Sequence, residues 1–312
     1  MKFLISMLIC LPIMALASEV DNFTARDAPL GDSTLVINKA ANRILDQAID
    51  RANKRKGQCN KEHLYKEIKV RFRNHYQDKF SRFVHKSNTV ERRHIKIKDS
   101  IYAKLNLFDS FVVGGLGAFV DSTASVVRMG QHQIGSDKFE HFFGRGYAYF
   151  NKYYLKNQKI EEVLNYGLAS ERGTLGAIMT GIASYADLSA NFKGMHFWNH
   201  LLGEGADLLK FENPMGPYIA CNNGKWQRTQ DIDLLPYVDD SWDEAINCSV
   251  FRTKKILKKV QQAMNKLSQK EKRPITCPID PNILLQLSDS FGPYAPYVIN
   301  QQGHSVLSKK QL

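Results

Sequence analysis

The sequence predicts a mainly α-helical protein, on three observations. Residues 35–55 place Val36, Ala40, Ile44 and Ala48 four residues apart, which is close to the period of a helix face. Residues 135–209 contain further segments with helical spacing, which we interpret as four helical pieces. No segment shows a strong alternation of apolar and polar residues, the pattern that is typical of a half-buried strand.

The first residues, MKFLISMLICLPIMALAS, have the organisation of a secretory signal peptide. A basic start at Lys2 precedes an apolar core over 3–14 and a small-x-small cleavage site at 15–17. The apolar run is shorter than the roughly 20 residues of a membrane-spanning helix. We therefore expect residues 1–17 to be removed, leaving an exported protein, periplasmic or secreted, without a transmembrane segment.

The chain is basic, with 43 Lys+Arg, 31 Asp+Glu and a formal net charge of +12. Removal of residues 1–17 takes one lysine, which leaves 42 basic and 31 acidic side chains, or +11. Such a charge predicts either a solvated basic surface or attraction to an anionic polymer or membrane.

Four cysteines remain after cleavage: Cys59, Cys221, Cys248 and Cys277. An even number in an oxidising compartment predicts two disulfides and leaves all three pairings open. One of these, Cys221–Cys248, would close most of residues 216–249, which are rich in Tyr, Trp and Asp, into a loop. The CxxC pairs that are typical of a zinc site are absent.

Patterning divides the chain into regions. They are the signal peptide (1–17), a basic helical N-terminal region (18–98), a core (99–212), an extension bearing Tyr, Trp and Cys and a basic helix (213–278), and a loosely ordered tail (279–312). Within the second region, after an irregular start over 18–34, residues 62–83 direct Leu64, Ile68, Phe72 and Phe80 toward a core. The basic helix lies near 250–267, and the apolar segment 109–127, broken by Asp121, predicts a buried helix.

Glu171 ends an apolar helix face in the stretch NYGLASERGTLGAIMTG. The face is formed by Ile160, Val163, Leu164, Gly167 and Leu168. At about 100° per residue Glu171 falls within roughly 20° of Ile160, in the last turn before Gly173. Burial and the negative end of the helix dipole both raise a carboxyl pKa, so we expect the protonated acid that a general acid requires. The alternative is a simple ion pair with Arg172.

A second glutamate, Glu140, lies at the edge of an aromatic face in GSDKFEHFFGRGYAYFNKYY. It shares a helical stripe with Gly144, Tyr147 and Asn151, and Gly144 leaves a notch between acid and tyrosine. Glycines 144 and 146 each cost about 1 kcal/mol inside a helix, which close packing or access could offset. Two glutamates that face one cleft favour glycoside hydrolysis. An aromatic core stripe with Glu140 at its solvent margin is the alternative.

ASERGTLGAIMTGIASYADLSAN, residues 169–191, resembles the active-site stretch of the lysozyme and lytic transglycosylase superfamily. Glu171 takes the position of the catalytic glutamate and Gly176-Ala177 that of a Gly-Ala step. The pattern departs at Arg172, where serine is usual, in a shorter spacer after the glutamate, and at 178–179. DKFEHFFGRGYAYF is also similar to the deacetylated-peptidoglycan-specific lysozymes of predatory bacteria, a diverged branch said to use two glutamates.

The resemblance implies a diverged lysozyme-like fold over 99–212 and a muramidase that cleaves peptidoglycan glycan strands. The similarity to the predatory-bacterial branch implies specificity for deacetylated peptidoglycan, and the sequence itself leaves the acetylation state of the substrate open. It implies catalysis by Glu171 and Glu140, without a cofactor and without nucleic acid as a partner. If one glutamate acts alone, the resemblance implies a lytic transglycosylase that uses the 6-hydroxyl of the substrate. Sugar rings are bound by aromatic, amide and acidic side chains, and the candidates are Tyr147, Asn151, Tyr185, Asp187 and Asn191.

A competing site lies in GMHFWNHLLGEG. His196, His200 and Glu204 share one helix face if the helix reaches Glu204, and two histidines one turn apart can bind a metal ion. Asp137 and His141, also one turn apart, could complete the ligand set. This pattern predicts a metal-dependent hydrolase, although the HExxH signature is absent, or else two histidines packed in a core. A third alternative is a non-catalytic cell-wall binding protein that uses residues 216–249.

Overall fold

The structure is a computed structural model that describes residues 19–54, 58–73, 79–116, 123–173 and 176–308. The predicted signal peptide, Asp121 and the last four residues of the tail lie outside these ranges. About half of the chain is helical, so the prediction of a mainly α protein is confirmed. Among the described residues, none of the helices combines the length and apolar composition that crossing a membrane requires.

The helices are numbered in chain order. They are α1 (Thr34–Asn53), α2 (Lys61–Phe72), α3 (Lys79–Lys86), α4 (residues 138–155), α5 (Ile160–Arg172), α6 (Tyr185–Leu202), α7 (Lys254–Glu271), α8 (Pro281–Phe291) and α9 (Ala295–Val298). Helix α4 joins α-helical and π-helical segments: Lys138–Glu140, His141–Arg145, Gly146–Phe150 and Asn151–Leu155. Shorter helical turns occur at Ile97–Asp99, Phe111–Leu116, Leu235–Tyr237, Asp240–Trp242 and Gly292–Tyr294.

Seven short strands form three small sheets within the described residues. They are β1 (Val126–Met129), β2 (His132–Gly135), β3 (Ile182–Ala183), β4 (Ile219–Asn222), β5 (Lys225–Arg228), β6 (Val250–Phe251) and β7 (Ser305–Val306). Strands β1 and β2 form one antiparallel hairpin and β4 and β5 another, while β6 pairs antiparallel with β3 and parallel with β7. Each strand is too short to carry a clear alternating pattern, which explains why the sequence did not predict it.

Several predicted elements are confirmed. Helix α1 covers the predicted stretch, and Leu64, Ile68, Phe72 and Phe80 are fully buried on α2 and α3. Residues 19–33 contain no helix or strand, as predicted, and the basic helix is α7. It begins at Lys254 because the residues before it pair in the β3–β6–β7 sheet.

Three expectations were wrong. In the described part of 135–209 the successive helical segments join into three helices, α4 to α6, rather than four. In the segment 109–127 only Phe111–Leu116 is described as helical, and Val126 already begins β1. As far as residue 308 the tail is ordered: the Asp280 side chain caps α8, whose Leu284 and Phe291 are buried. The sequence analysis did not predict this apolar face because amide and serine side chains occupy the solvent side of α8.

One hydrophobic cluster draws residues from α1 through the tail, so the predicted regions share a core. Helices α4 and α6 form its centre and approach closely at two glycines. A Cβ on Gly146 would lie 2.6 Å from Gly194 Cα, so this contact requires glycine. Close packing therefore offsets the helix cost of Gly146.

The two predicted disulfides are present, as Cys59–Cys221 and Cys248–Cys277. The alternative in which Cys221 and Cys248 close residues 216–249 is therefore wrong. Cys59–Cys221 instead joins β4 to the chain before α2, and Cys248–Cys277 joins the residues on either side of α7.

Candidate functional site

A buried cluster of charged side chains lies where α4 begins, α5 ends and α6 begins. At its centre the fully buried ammonium of Lys138 donates to Asp137, Asp187 and Glu244 at 2.7, 2.6 and 2.7 Å. Burial alone would lower the pKa of Lys138, but the three carboxylates outweigh it and hold that pKa well above its usual value. Lys138 is thus the cation that these carboxylates surround.

Glu171 joins this cluster from the last turn of α5. Its side chain is buried, as the apolar spacing predicts, and its Oε1 accepts a hydrogen bond from the Ser184 backbone N–H at 3.4 Å. The glycine-rich turn packs on the carboxyl, because a Cβ on Gly176 would lie 2.8 Å from that oxygen. The predicted alternative of an Arg172 ion pair is not formed, since Arg172 instead donates to the Tyr185 hydroxyl at 3.3 Å.

The proton affinity of Glu171 follows from these surroundings. Burial first, and then the charge of Asp187, raise its pKa well above the usual carboxyl value. The Ser184 hydrogen bond and the charges of Lys138 and Arg145 oppose this rise and do not cancel it. Glu171 therefore retains its proton at a pH at which an exposed glutamate is ionised.

Asp187 has the opposite balance, although it is also buried. Burial would raise its pKa, but His141, whose Nε2 lies 3.1 Å away, and Lys138 lower it below the usual value. The other ring nitrogen of His141, Nδ1, lies 3.2 Å from Asn191 Oδ1. The structure therefore places an ionised aspartate directly beside a protonated glutamate.

One atom each of His141, Glu171 and Asp187 lie within 4.8 Å of one another. An imidazole nitrogen and two carboxylate oxygens are a ligand set that zinc accepts. Asp137, Asp187 and Glu244 form a second group of possible ligands, but all three bond to the Lys138 ammonium, which already lies between them as a cation.

The two predicted catalytic glutamates have different neighbours. Glu140 Oε1 lies 3.1 Å from His85 Nε2 on α3, whereas Glu171 contacts the start of α6. Asn151 lies in the last segment of α4 and is partly buried. Two of the predicted substrate-binding residues, Asp187 and Asn191, lie in the Glu171 cluster, where both contact His141.

Tyr185 and Tyr147 lie at two other openings. Tyr185 and Arg172 line a pocket of about 170 Å³ together with residues 299–302. Tyr147 lies under Lys69 Nζ, which is 4.5 Å from the ring centroid and 3.2 Å from the hydroxyl.

Next to Tyr147 is a basic groove of about 560 Å³ between α2, α4 and α5. The groove is lined by Lys66, Lys69, Val70, Arg73, Gly144, Arg145, Ala148 and Tyr166. The predicted notch at Gly144 is therefore part of an opening. Arg145 links the groove to the buried cluster, because its charge lowers the pKa of Glu171.

The predicted metal site at His196, His200 and Glu204 contains a different acidic residue in the structure. Helix α6 ends at Leu202 because Gly203 takes the left-handed conformation, and Glu204 instead bonds to Lys61 at 2.9 Å. The expectation that Glu204 shares the histidine face is therefore wrong.

Asp207 takes the place of Glu204 beside the two histidines. It lies 3.3 Å from His196 and 2.7 Å from His200, and His200 also bonds to the Tyr237 hydroxyl at 2.6 Å. Within the part of the chain that the structure describes, His196 and His200 do not belong to a group of three possible ligands close enough to share an ion.

Sequence reasoning missed the centre of the cluster. Lys138 precedes Phe142 by four residues and so lies on the buried aromatic face of α4, and a lysine in that position signals a buried ion pair. Glu244 carries no comparable signal, because it follows the Asp240–Trp242 helical turn and reaches the cluster only through the fold.

Comparison of the chain with protein-family models, curated proteins and solved structures gave no match. The chemistry of the site is therefore interpreted from its own geometry.

Proposed function

We propose that the protein is an exported glycoside hydrolase that cleaves the glycan strands of peptidoglycan. Glu171 is the general acid, and Asp187 is the ionised carboxylate that stabilises the developing positive charge or acts as the nucleophile. The observation that carries this proposal is the contact of two buried carboxyl groups whose pKa values are shifted in opposite directions. Two disulfides support an oxidising compartment, and the N-terminal signal sequence supports export.

The surrounding residues fit these roles. The buried carboxyl of Glu171 keeps its proton until the glycosidic oxygen accepts it. His141 and Lys138 keep Asp187 ionised, and Asn191 orients the His141 ring. Carboxyl oxygens within 4.8 Å are closer to the spacing of about 5–5.5 Å in retaining enzymes than to the roughly 6.5–9.5 Å of inverting ones. We therefore expect retention of configuration.

This proposal differs from the sequence-based pair, since Asp187 takes the role first given to Glu140. The 3.1 Å contact of Glu140 with the His85 ring favours a structural role that positions α3 against α4. Glu140→Gln tests this directly, and the proposed roles require that it keep most of the activity.

A second candidate is a metal-dependent hydrolase, favoured by the grouping of His141, Glu171 and Asp187. In that function Glu171 would be an ionised ligand rather than an acid. The two candidates differ in their response to chelation, because only the second requires a bound ion.

The test uses the mature protein, with native and chemically deacetylated peptidoglycan, with and without EDTA. Glu171→Gln is compared with Glu161→Gln, an exposed glutamate in the first turn of the same helix. We expect soluble muropeptides from the wild type and Glu161→Gln, a loss of about 10²- to 10⁴-fold in Glu171→Gln, and no effect of EDTA. Loss of activity in the presence of EDTA would favour the metal-dependent hydrolase instead. Binding to the wall without release of muropeptides by the wild type or any variant would indicate a non-catalytic binding protein.

The chemical form of the released glycan ends identifies the reaction, and the preferred peptidoglycan identifies the substrate. Reducing ends establish hydrolysis, whereas 1,6-anhydro ends establish a lytic transglycosylase. Preference for the native or the deacetylated wall identifies the substrate.

A further inference from the structure

The basic groove between α2, α4 and α5 concentrates like charge. Lys66, Lys69 and Arg73 follow helical spacing on one face of α2, and Arg145 faces them from α4. Lys69 and Arg73 both approach the ring of Tyr147, at 4.5 and 5.3 Å from its centroid. Like charges one helical turn apart destabilise a helix, so this arrangement costs stability in the absence of a ligand.

The acidic side chains nearby do not neutralise these cations. Among the described residues, no Asp or Glu lines the groove. The glutamate of α2 closest in sequence, Glu67, forms its salt bridge with Arg71 at 2.8 Å, away from the groove lining. Lys69 and Arg145 instead donate to the neutral hydroxyls of Tyr147 and Tyr166. Within the part of the chain that the structure describes, the groove therefore presents positive charge without an acidic side chain in its lining, in an opening of about 560 Å³.

The shape and lining favour a compact, carboxylate-bearing unit over a nucleic acid. Single-stranded nucleic acids bind along rows of free aromatic rings on which successive bases stack. Among the described residues, Tyr166 is the one aromatic side chain in the groove lining, and the Lys152 ammonium already covers its ring at 4.4 Å. Guanidinium and ammonium groups on converging helices match carboxylates instead.

We propose that this groove binds the carboxylates of an anionic glycan strand and so holds the strand beside Glu171. The inference rests on the proposed function, and it adds the charge of the substrate to it. Arg145 lines the groove and donates to the hydroxyl of Tyr166, which lies on α5, the helix whose last turn carries Glu171. A strand bound here would place its acidic substituents on α2 and the sugar chain toward the last turn of α5.

The test measures binding separately from cleavage. Soluble, uncrosslinked peptidoglycan strands that carry stem peptides are titrated into Glu171→Gln, which cannot consume them. The same strands with their carboxylates converted to amides are the matched probe. The groove variant is Lys69→Gln/Arg73→Gln, and the control removes the same charge on α7 as Lys258→Gln/Lys266→Gln, where both lysines are exposed.

We expect roughly 25-fold weaker binding in the groove variant at low salt, from about fivefold per charge at contact distance in water. The control variant and the parent should bind alike, and the amidated strands should bind weakly to all three. In the active protein the groove substitutions should raise KM and change kcat little. Equal weakening by the control, or equal binding of amidated strands, would overturn the inference and leave the glycosidase proposal intact.

Two further results separate the proposals. Binding that depends on the groove, with no cleavage by the wild type, would sustain the inference and remove the proposed function. A single-stranded oligonucleotide that binds the groove as tightly as the strands would overturn the assignment to a glycan.

Discussion

Replacing Lys138 with methionine tests whether the buried cluster depends on a single cation. Lys138 is fully buried, and methionine keeps much of its apolar bulk while it removes the charge. Asp137, Asp187 and Glu244 then lose the ammonium that bonds to each at 2.6–2.7 Å. Removing one partner of a buried ion pair costs about 3–5 kcal/mol, so we expect a loss of that size in the free energy of unfolding at neutral pH.

The loss must also depend on pH, and the sign follows from proton uptake. Lys138 lowers the pKa of all three carboxyl groups. Its removal therefore raises the folded-state pKa values of Asp137 and Glu244 further above those of the unfolded chain, and it raises the pKa of Asp187 from its lowered value. In the variant the folded state then binds more protons than the unfolded state near neutral pH, so stability falls as pH rises. One extra proton corresponds to about 1.4 kcal/mol per pH unit.

Urea unfolding at pH 5, 6, 7 and 8 measures both quantities. Lys39→Met, an exposed lysine on α1, is the control and should change stability by less than about 0.5 kcal/mol. Adding Glu244→Gln to Lys138→Met should recover part of the loss, because one uncompensated carboxylate is removed with the cation. A pH-independent loss below about 1 kcal/mol would refute the account of Lys138 as the central cation.

Three other predictions concern the helix crossing, the disulfides and Glu171. Gly146→Ala should lower the free energy of unfolding by about 2–3 kcal/mol in the same urea assay, because the new Cβ would meet the backbone of Gly194. The control Gly205→Ala, whose Cβ would meet only the ring of Tyr154, should lower it by less than about 1 kcal/mol. Loss of Cys59–Cys221, which spans 162 residues, should cost about 5 kcal/mol and loss of Cys248–Cys277, which spans 29, about 4, measured with paired Cys→Ser variants. Because the pKa of Glu171 is raised, kcat/KM should fall as pH rises through that pKa above the ordinary glutamate range, and a profile already falling near pH 4.5 would contradict it.

The sequence was informative where a single helix face determines burial. Spacing alone placed Glu171 on the apolar side of α5, the side on which Val163, Leu164 and Leu168 are also buried. The spacing of residues 62–83 likewise identified the four core residues of α2 and α3. Local periodicity therefore predicted which way a side chain points.

Local periodicity did not predict which elements meet. Glu140 and Glu171 each have the pattern of a cleft-facing acid, but one contacts α3 and the other α6. Glu244 reaches Lys138 across 106 residues of sequence, and Asp207 reaches His200 from beyond the end of α6. These contacts arise from the packing of distant segments, which a single sequence does not specify.

The balance of charge in the cluster explains why the proton resides on Glu171. Within the described residues, Lys138 and His141 are the close cations of five interacting, buried carboxyl groups. These carboxyl groups belong to Glu19, Asp137, Glu171, Asp187 and Glu244. With more acids than cations, some of the carboxyl groups retain protons at neutral pH.

The groups nearest the cations ionise first. Asp187 contacts both cations and its pKa is lowered, whereas Glu171, which forms neither of these ion pairs, has a raised pKa. The acid function therefore depends on the position of Lys138. A cation moved next to Glu171 would ionise it, and the site would lose its proton donor without losing any carboxyl group.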